Sequence, residues 1–293
     1  MKILISDPFS KDLPQRLRKF GKVTEDKKEI PDADVVLVRS ATKVDRAFID
    51  SAKKMKMVIR GGVGLDNIDA GYCSQKGIAV KNTPEASAIA VTELAFALML
   101  GINRNIVKAH NSMKIGQWEK GMKGSELYGK TLGIVGLGRI GTEVAKRAQA
   151  FGMNVIGCEK SSRPCEYAEV VSLDELLKRS DFISLHVPLT DETNEMISRK
   201  TIKKMKDGVV LINTARGKLV NENDLAEALK TGKVRYAGLD VYQQEPPAGS
   251  PLVSLDNVLL TPHLGAQTYE NMERISDIIC EIISDFKKAN PRL

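Results

Sequence analysis

The sequence is organised around one hexapeptide, Gly136-Leu137-Gly138-Arg139-Ile140-Gly141. The apolar run Leu132–Val135 leads into it, and a stretch of helical period leads out, with Ile140, Val144, Ala145, Ala148 and Phe151 expected inward. Three glycines at this spacing between strand and helix call for a sharp turn and a helix packed closely on its strand. The same alternation runs through the whole chain. Strands are predicted at Lys2–Ser6, Asp34–Val38, Lys56–Ile59 and Ile78–Val80. A second series lies at Thr131–Val135, Asn154–Cys158, Phe182–Leu185, Val209–Asn213, Ala237–Val241 and Val258–Thr261. Helical stretches such as Leu13–Phe20 and Ala47–Ala52 lie between strands, and Tyr269–Lys288 forms an amphipathic last helix. This is α/β grammar with mostly parallel sheet. At 293 residues, about two domains are expected.

The longest helical pattern is Glu85–Ile106, with Ile89, Leu94, Ala97, Leu98 and Gly101 near one face. Residues 103–130 show no clear strand and carry the only tryptophan, Trp118. Such a segment tends to be functional or to make contacts elsewhere.

Composition narrows the function classes. Hydrophobic residues at 42% and charged residues at 28% exclude a disordered chain, a collagen-like fibre and a coiled coil. The net charge of +7 is scattered rather than blocked, and aromatics are only 5%. That argues against a nucleic-acid partner and fits a local basic excess near a small anionic ligand. The four cysteines are isolated and the three histidines make no metal-ligand spacing with them, so reduced thiols and no metal are expected. The start of the chain is broken too early by Asp7 for a signal peptide, and Leu94–Ile102 is too short for a membrane span. A cytoplasmic protein with no membrane partner is expected.

The hexapeptide reads as a dinucleotide turn. Gly136 permits the turn, Gly138 lets a pyrophosphate approach the backbone, and Gly141 lets helix and strand pack. Free N–H groups at the helix start attract the anion. Glu159 stands at the end of the next strand, where it can accept from ribose hydroxyls and repel the extra phosphate of NADP. NAD is therefore favoured, with Lys160 and Arg163 weakening the preference.

Ligands of open α/β sheets bind beyond the carboxyl ends of the strands. Those ends carry His186-Val187-Pro188, Asn213-Thr214-Ala215-Arg216-Gly217, Asp240 with Glu245 after it, and Pro262-His263-Leu264-Gly265. His263 suits acid–base work near neutral pH, and Glu245 can fix its tautomer and favour the imidazolium. Arg216 offers a planar fork for a carboxylate. The set suits hydride transfer at a carbon bearing hydroxyl and carboxylate. Each residue alone also has an ordinary structural reading.

These motifs, in this order, resemble the D-isomer-specific 2-hydroxyacid dehydrogenase family. Val38–Val44, Arg60–Asp69, Gly129–Gly141, His186–Thr190, Asn213–Gly217, Gly238–Tyr242 and Thr261–Ala266 carry the resemblance over nearly the whole chain. It implies a Rossmann NAD-binding domain, residues 83–266, inserted into a flavodoxin-like substrate domain of residues 1–82 and 267–293, with a hinge between them. It implies Arg216, Glu245 and His263 as catalytic set. Cofactor-lining positions would be Gly136, Gly138, Arg139, Ile140, Gly141, Glu159, Val187, Thr214, Ala215, Asp240, His263 and Ala266. Gly61, Gly62, Val63 and Gly64 would hold the substrate carboxylate, and Arg39 and Arg60 its phosphate end.

Within the family the phosphoglycerate dehydrogenase branch is most similar. This implies NAD-dependent oxidation of D-3-phosphoglycerate to 3-phosphohydroxypyruvate in serine synthesis. A glyoxylate/hydroxypyruvate reductase or D-lactate-type enzyme is the alternative. A non-catalytic NADH-sensing interaction protein is the alternative of another class. The branch using Gln where Glu245 stands, formate dehydrogenase, is disfavoured. Residues 103–130 would embrace a partner subunit in a homodimer. Long members carry C-terminal regulatory domains, and control through such a domain is not expected here. Glu159 replaces the commoner Asp, and Val63 stands where relatives carry Thr.

Overall fold

The computed structural model describes residues 1–160 and 164–291. It divides into two compact units, Met1–Ser87 with Ala266–Leu293, and Ala88–Gly265.

The first unit contains β1 (Lys2–Ile5), α1 (Leu13–Leu17), β2 (Lys22–Thr24), β3 (Val35–Val38), α2 (Arg46–Ser51), β4 (Met57–Arg60), α3 (Ala70–Gln75) and β5 (Ala79–Asn82). All pairings are parallel, in the order β2-β1-β3-β4-β5, the flavodoxin-like arrangement. Alternation along each strand serves both faces. Ile3, Ile5, Val35, Leu37, Met57 and Ile59 belong to one core, with Ile275, Ile279 and Ile283 of the last helix. Leu4, Val36, Val38 and Val58 belong to the other, with Ile49 and Cys73. Each such residue removed from water contributes roughly 1.5–3 kcal/mol.

The second unit opens with α4 (Ala88–Asn103) and α5 (Ile106–Lys114). It continues through β6 (Thr131–Val135), α6 (Arg139–Ala150), β7 (Asn154–Cys158), β8 (Glu169–Val170), α7 (Leu173–Arg179) and β9 (Phe182–Leu185). It closes with α8 (Arg199–Ile202), β10 (Val209–Asn213), α9 (Glu222–Lys230), β11 (Val234–Leu239) and β12 (Val258–Leu260). The chain returns to the first unit through α10 (Tyr269–Ala289). The seven parallel strands run β12-β11-β10-β9-β6-β7-β8. The order reverses between β6 and β9, which is where a doubly wound sheet binds its ligand.

Several expectations are corrected. The longest helix is α10, not the pattern from Glu85, because Asn105 adopts a left-handed conformation (φ 53°) and separates α4 from α5. The segment 103–130, read as lacking a clear strand, begins with a helix. The buried face of α4 is Val91, Ala95, Leu98, Met99 and Ile102, while Ala97 is exposed. A helix covered around most of its surface has no clean apolar stripe to read. Phe151 lies past the end of α6 and is 42% exposed, although it stacks on Phe96 at 5.1 Å. The edge strands β2 and β8 were not predicted, being only three and two residues long. Among the described residues no single helix is long and apolar enough to cross a membrane.

Candidate active site

Three strand ends start level with one another. Asn213 pairs with Leu239, and Leu239 with Leu260, so the loops carrying Arg216, Glu245 and His263 leave the sheet side by side. His263 Nδ1 lies 2.8 Å from Glu245 Oε2. Both side chains are partly exposed, at 38% and 40%, as groups that must meet a substrate have to be. Glu245 Oε1 also accepts from the Tyr242 N–H at 3.3 Å. Burial pushes the Glu245 carboxyl up. The hydrogen bond and charge of His263, the Tyr242 N–H and the charge of Arg216 outweigh this and hold it below the usual range.

His263 has φ 56°, an uncommon conformation for a residue with a side chain. Its loop is held there by Asp240, which is 1% exposed. Asp240 Oδ1 accepts from Thr261 Oγ1 at 2.6 Å and from Leu264 N at 2.7 Å, and Oδ2 accepts from Gly265 N at 2.8 Å. The residue expected to face the cofactor thus spends its carboxylate on shaping the histidine loop. Tyr242 adds a second tie, its hydroxyl donating to Thr261 O at 2.8 Å. Burial pushes that phenol up to about 12, so it stays a donor. Asn213, buried at the end of β10, accepts from Ala215 N and donates to Arg216 O at 2.8 Å. Arg216 Nη1 donates to Ala215 O at 2.6 Å. Asn213 and Tyr242 lay within motifs visible in the sequence, but nothing there marked them as supports.

At the switch point, Gly136 N donates to Cys158 O and His186 N to Val135 O. Each glycine of the turn answers a different constraint. Gly136 has φ 97°, and a Cβ there would come 2.7 Å from His186 O. A Cβ on Gly141 would fall 1.9 Å from Gly136 O, whereas one on Gly138 would meet nothing within 4 Å among the described residues. Gly138 is also the N-cap of α6, whose first residues are Arg139 and Ile140. Thr214 Oγ1 is buried and has no hydrogen-bond partner among the described residues. Val187 and Ala215 are half-buried against the core. An open backbone face at a helix start, with an unanswered buried hydroxyl on the same sheet, fits a dinucleotide.

The description "D-isomer specific 2-hydroxyacid dehydrogenase, NAD binding domain" matches residues 96–265. The D-3-phosphoglycerate dehydrogenase of Methanocaldococcus jannaschii is 49% identical over 97% of this chain, which spans only 57% of that protein. The hydroxypyruvate reductase of Thermotoga maritima is 48% identical, over 96% of this chain and 97% of that protein. The chain belongs to the D-isomer-specific 2-hydroxyacid dehydrogenase family. A solved D-lactate dehydrogenase from Aquifex aeolicus, complexed with NAD and lactic acid, has a TM-score of 0.88. It is 33% identical, and the match covers 100% of this chain and 97% of that one. The chain is therefore an NAD-dependent enzyme of the 2-hydroxyacid dehydrogenase type, and the second unit is the family's NAD-binding domain.

Glu159 follows β7 directly and is partly buried. Lys160 is engaged elsewhere, its Nζ bonding both Glu192 oxygens at 2.9 and 2.7 Å. Arg163 lies outside the described residues. Glu192→Gln should release Lys160 and raise kcat/KM with NADPH a few-fold, leaving NADH unchanged. An unaltered NADPH value would show that Lys160 does not reach the 2′-phosphate position.

The remaining predicted residues lie in the first unit. Gly61 N is spent on Val38 O, while Gly62 O accepts from Thr83 N and Val63 O from Asn82 Nδ2. Gly62 has φ 148°, and a Cβ there would collide with the Arg60 guanidinium. This leaves Gly62, Val63 and Gly64, not Gly61, as the N–H groups that could hold a carboxylate. Arg39 Nη1 lies 3.3 Å from Gln267 Oε1 and 3.5 Å from Pro8 O. Burial draws the Arg39 guanidinium below its usual range against the pull of the Asp7 carboxylate. Ala266 falls in the first unit, and its carbonyl accepts from Asn271 Nδ2. The segment expected to embrace a second subunit exposes Ile106, Val107, Met113, Ile115 and Trp118.

Proposed function

We propose that the chain interconverts a small 2-keto acid and its D-2-hydroxy acid, with unphosphorylated hydroxypyruvate or glyoxylate as the acceptor. The observation that carries the chemistry is the 2.8 Å contact between His263 Nδ1 and Glu245 Oε2. Nδ1 donates to the carboxylate, which leaves Nε2 as the atom that gives a proton to the C2 oxygen in reduction and takes it back in oxidation. Glu245 fixes that orientation and balances the imidazolium charge. Arg216 holds the substrate carboxylate and the polarised C2 oxygen through its fork of donors. When bound, the nicotinamide supplies or accepts the hydride at C2.

Two observations support the unphosphorylated substrate. A hydroxypyruvate reductase stands among the relatives, 48% identical over 96% of this chain. Arg39, the expected phosphate ligand, is partly buried with the Asp7 carboxylate beside it. A dianionic phosphate would have to share that charge. The second reading, D-3-phosphoglycerate oxidation, draws on the 49% identity and on Arg39 and Arg60.

Steady-state rates with NADH and NADPH on hydroxypyruvate, glyoxylate, pyruvate and 3-phosphohydroxypyruvate decide between them. The expected result is the highest kcat/KM with hydroxypyruvate or glyoxylate and NADH. A marked preference for the phosphorylated acid would replace this reading with the second. NADH binding without turnover on any acid would favour a sensing protein.

A further inference from the structure

Glu245 stands on the loop after β11, and that loop is tied down away from the reacting groups. Glu222, the first residue of α9, is 8% exposed. Its oxygens accept from Gln243 N at 2.8 Å and from Ser250 Oγ at 2.5 Å. The Gln243 side chain reaches back, donating from Nε2 to Val220 O at 2.9 Å and to Glu195 Oε1 at 3.3 Å. Gly217, next to Arg216, lies so close to this stretch that a Cβ would fall 1.9 Å from Tyr242 O. The segment 216–222, headed by Arg216, is thereby locked to the segment 242–250, which carries Glu245.

A carboxylate is costly to bury unless donors meet it. Helix capping does not explain this one, because Asn221 is the N-cap and its side chain accepts from Asp224 N at 3.0 Å. An acid serving only the helix dipole could remain in water. Both donors to Glu222 come from the Glu245 loop.

We propose that Glu222 is a positioning residue for Glu245 and, through it, for His263. It sets the height of the Glu245 loop against the Arg216 loop and so brings the carboxylate onto His263 Nδ1. The inference rests on the catalytic reading above. The groups that act on the Glu245 carboxylate are the His263 ring, the Tyr242 N–H and the charge of Arg216.

The test is a double-mutant cycle read as kcat against pH. Glu222→Gln keeps the size of the side chain, and Ser250→Ala removes one arm of the clamp in a milder way. Small displacements of reacting groups are costly in rate, so Glu222→Gln should lower kcat about tenfold or more. Ser250→Ala should lower it less, and NADH affinity should be unchanged in both. The ionisation governing kcat should move toward that of Glu245→Gln. In the Glu245→Gln background neither substitution should have a further effect, because the influence runs through Glu245. Wild-type kcat and pH profile in both single variants, or losses that simply add in the double variants, would overturn the proposal. Wild-type turnover in His263→Ala and Glu245→Gln would instead remove the catalytic reading on which it stands.

Discussion

Replacing His263 with alanine should lower turnover by about 10²- to 10⁴-fold, the usual worth of a positioned proton donor. NADH should bind as before. The imidazole lies on the loop between β12 and α10, whereas the glycine turn follows β6, four places along the sheet order from β12. The loop should survive the change, because its shape is set by Asp240 through Thr261, Leu264 and Gly265, not by the histidine ring. Fluorescence titration of NADH beside a turnover assay separates the two effects. Retention of most of the activity would mean that another group moves the proton.

The second large effect contrasts two glycines of one turn. Gly141→Ala should damage folding as well as binding. Its Cβ would fall 1.9 Å from the Gly136 carbonyl, a backbone atom held by the sheet. Overpacking of this kind costs about 1–3 kcal/mol or more. Gly138→Ala should leave the thermal midpoint unchanged, since its Cβ meets none of the described residues within 4 Å. It should instead weaken NADH by about ten- to a hundredfold, if the methyl intrudes on the pyrophosphate by a comparable 1–3 kcal/mol. Thermal unfolding and NADH titration on both variants give the answer. Equal destabilisation in the two, or full NADH affinity in Gly138→Ala, would show that the open face of Gly138 is not the pyrophosphate seat.

Much of this site could be read from residue order because its chemistry is local. The glycine turn needs only neighbours in the chain, and its strand and helix follow directly on either side. Arg216, Glu245 and His263 could be nominated because each stands just past a short apolar run, where parallel strands present their ligands. Their supports were harder to see. Asp240 and Glu222 are single acids among 37 Asp and Glu residues, and nothing in their spacing says that one holds the His263 loop and the other the Glu245 loop. The face of α4 was misread for a related reason, since neighbours on several sides bury most of it.

The sequence by itself determined the α/β class, the dinucleotide turn and the three residues proposed to act on the substrate. These depend on local sterics, on strand-to-helix alternation and on side-chain chemistry. Only the tertiary structure decided that Glu245 reaches His263, that Asp240 is spent on a loop, and that Lys160 is paired with Glu192. Those pairings join residues 18, 24 and 32 positions apart. At such separations strand register and burial select a partner from many acids and bases that are equivalent along the chain.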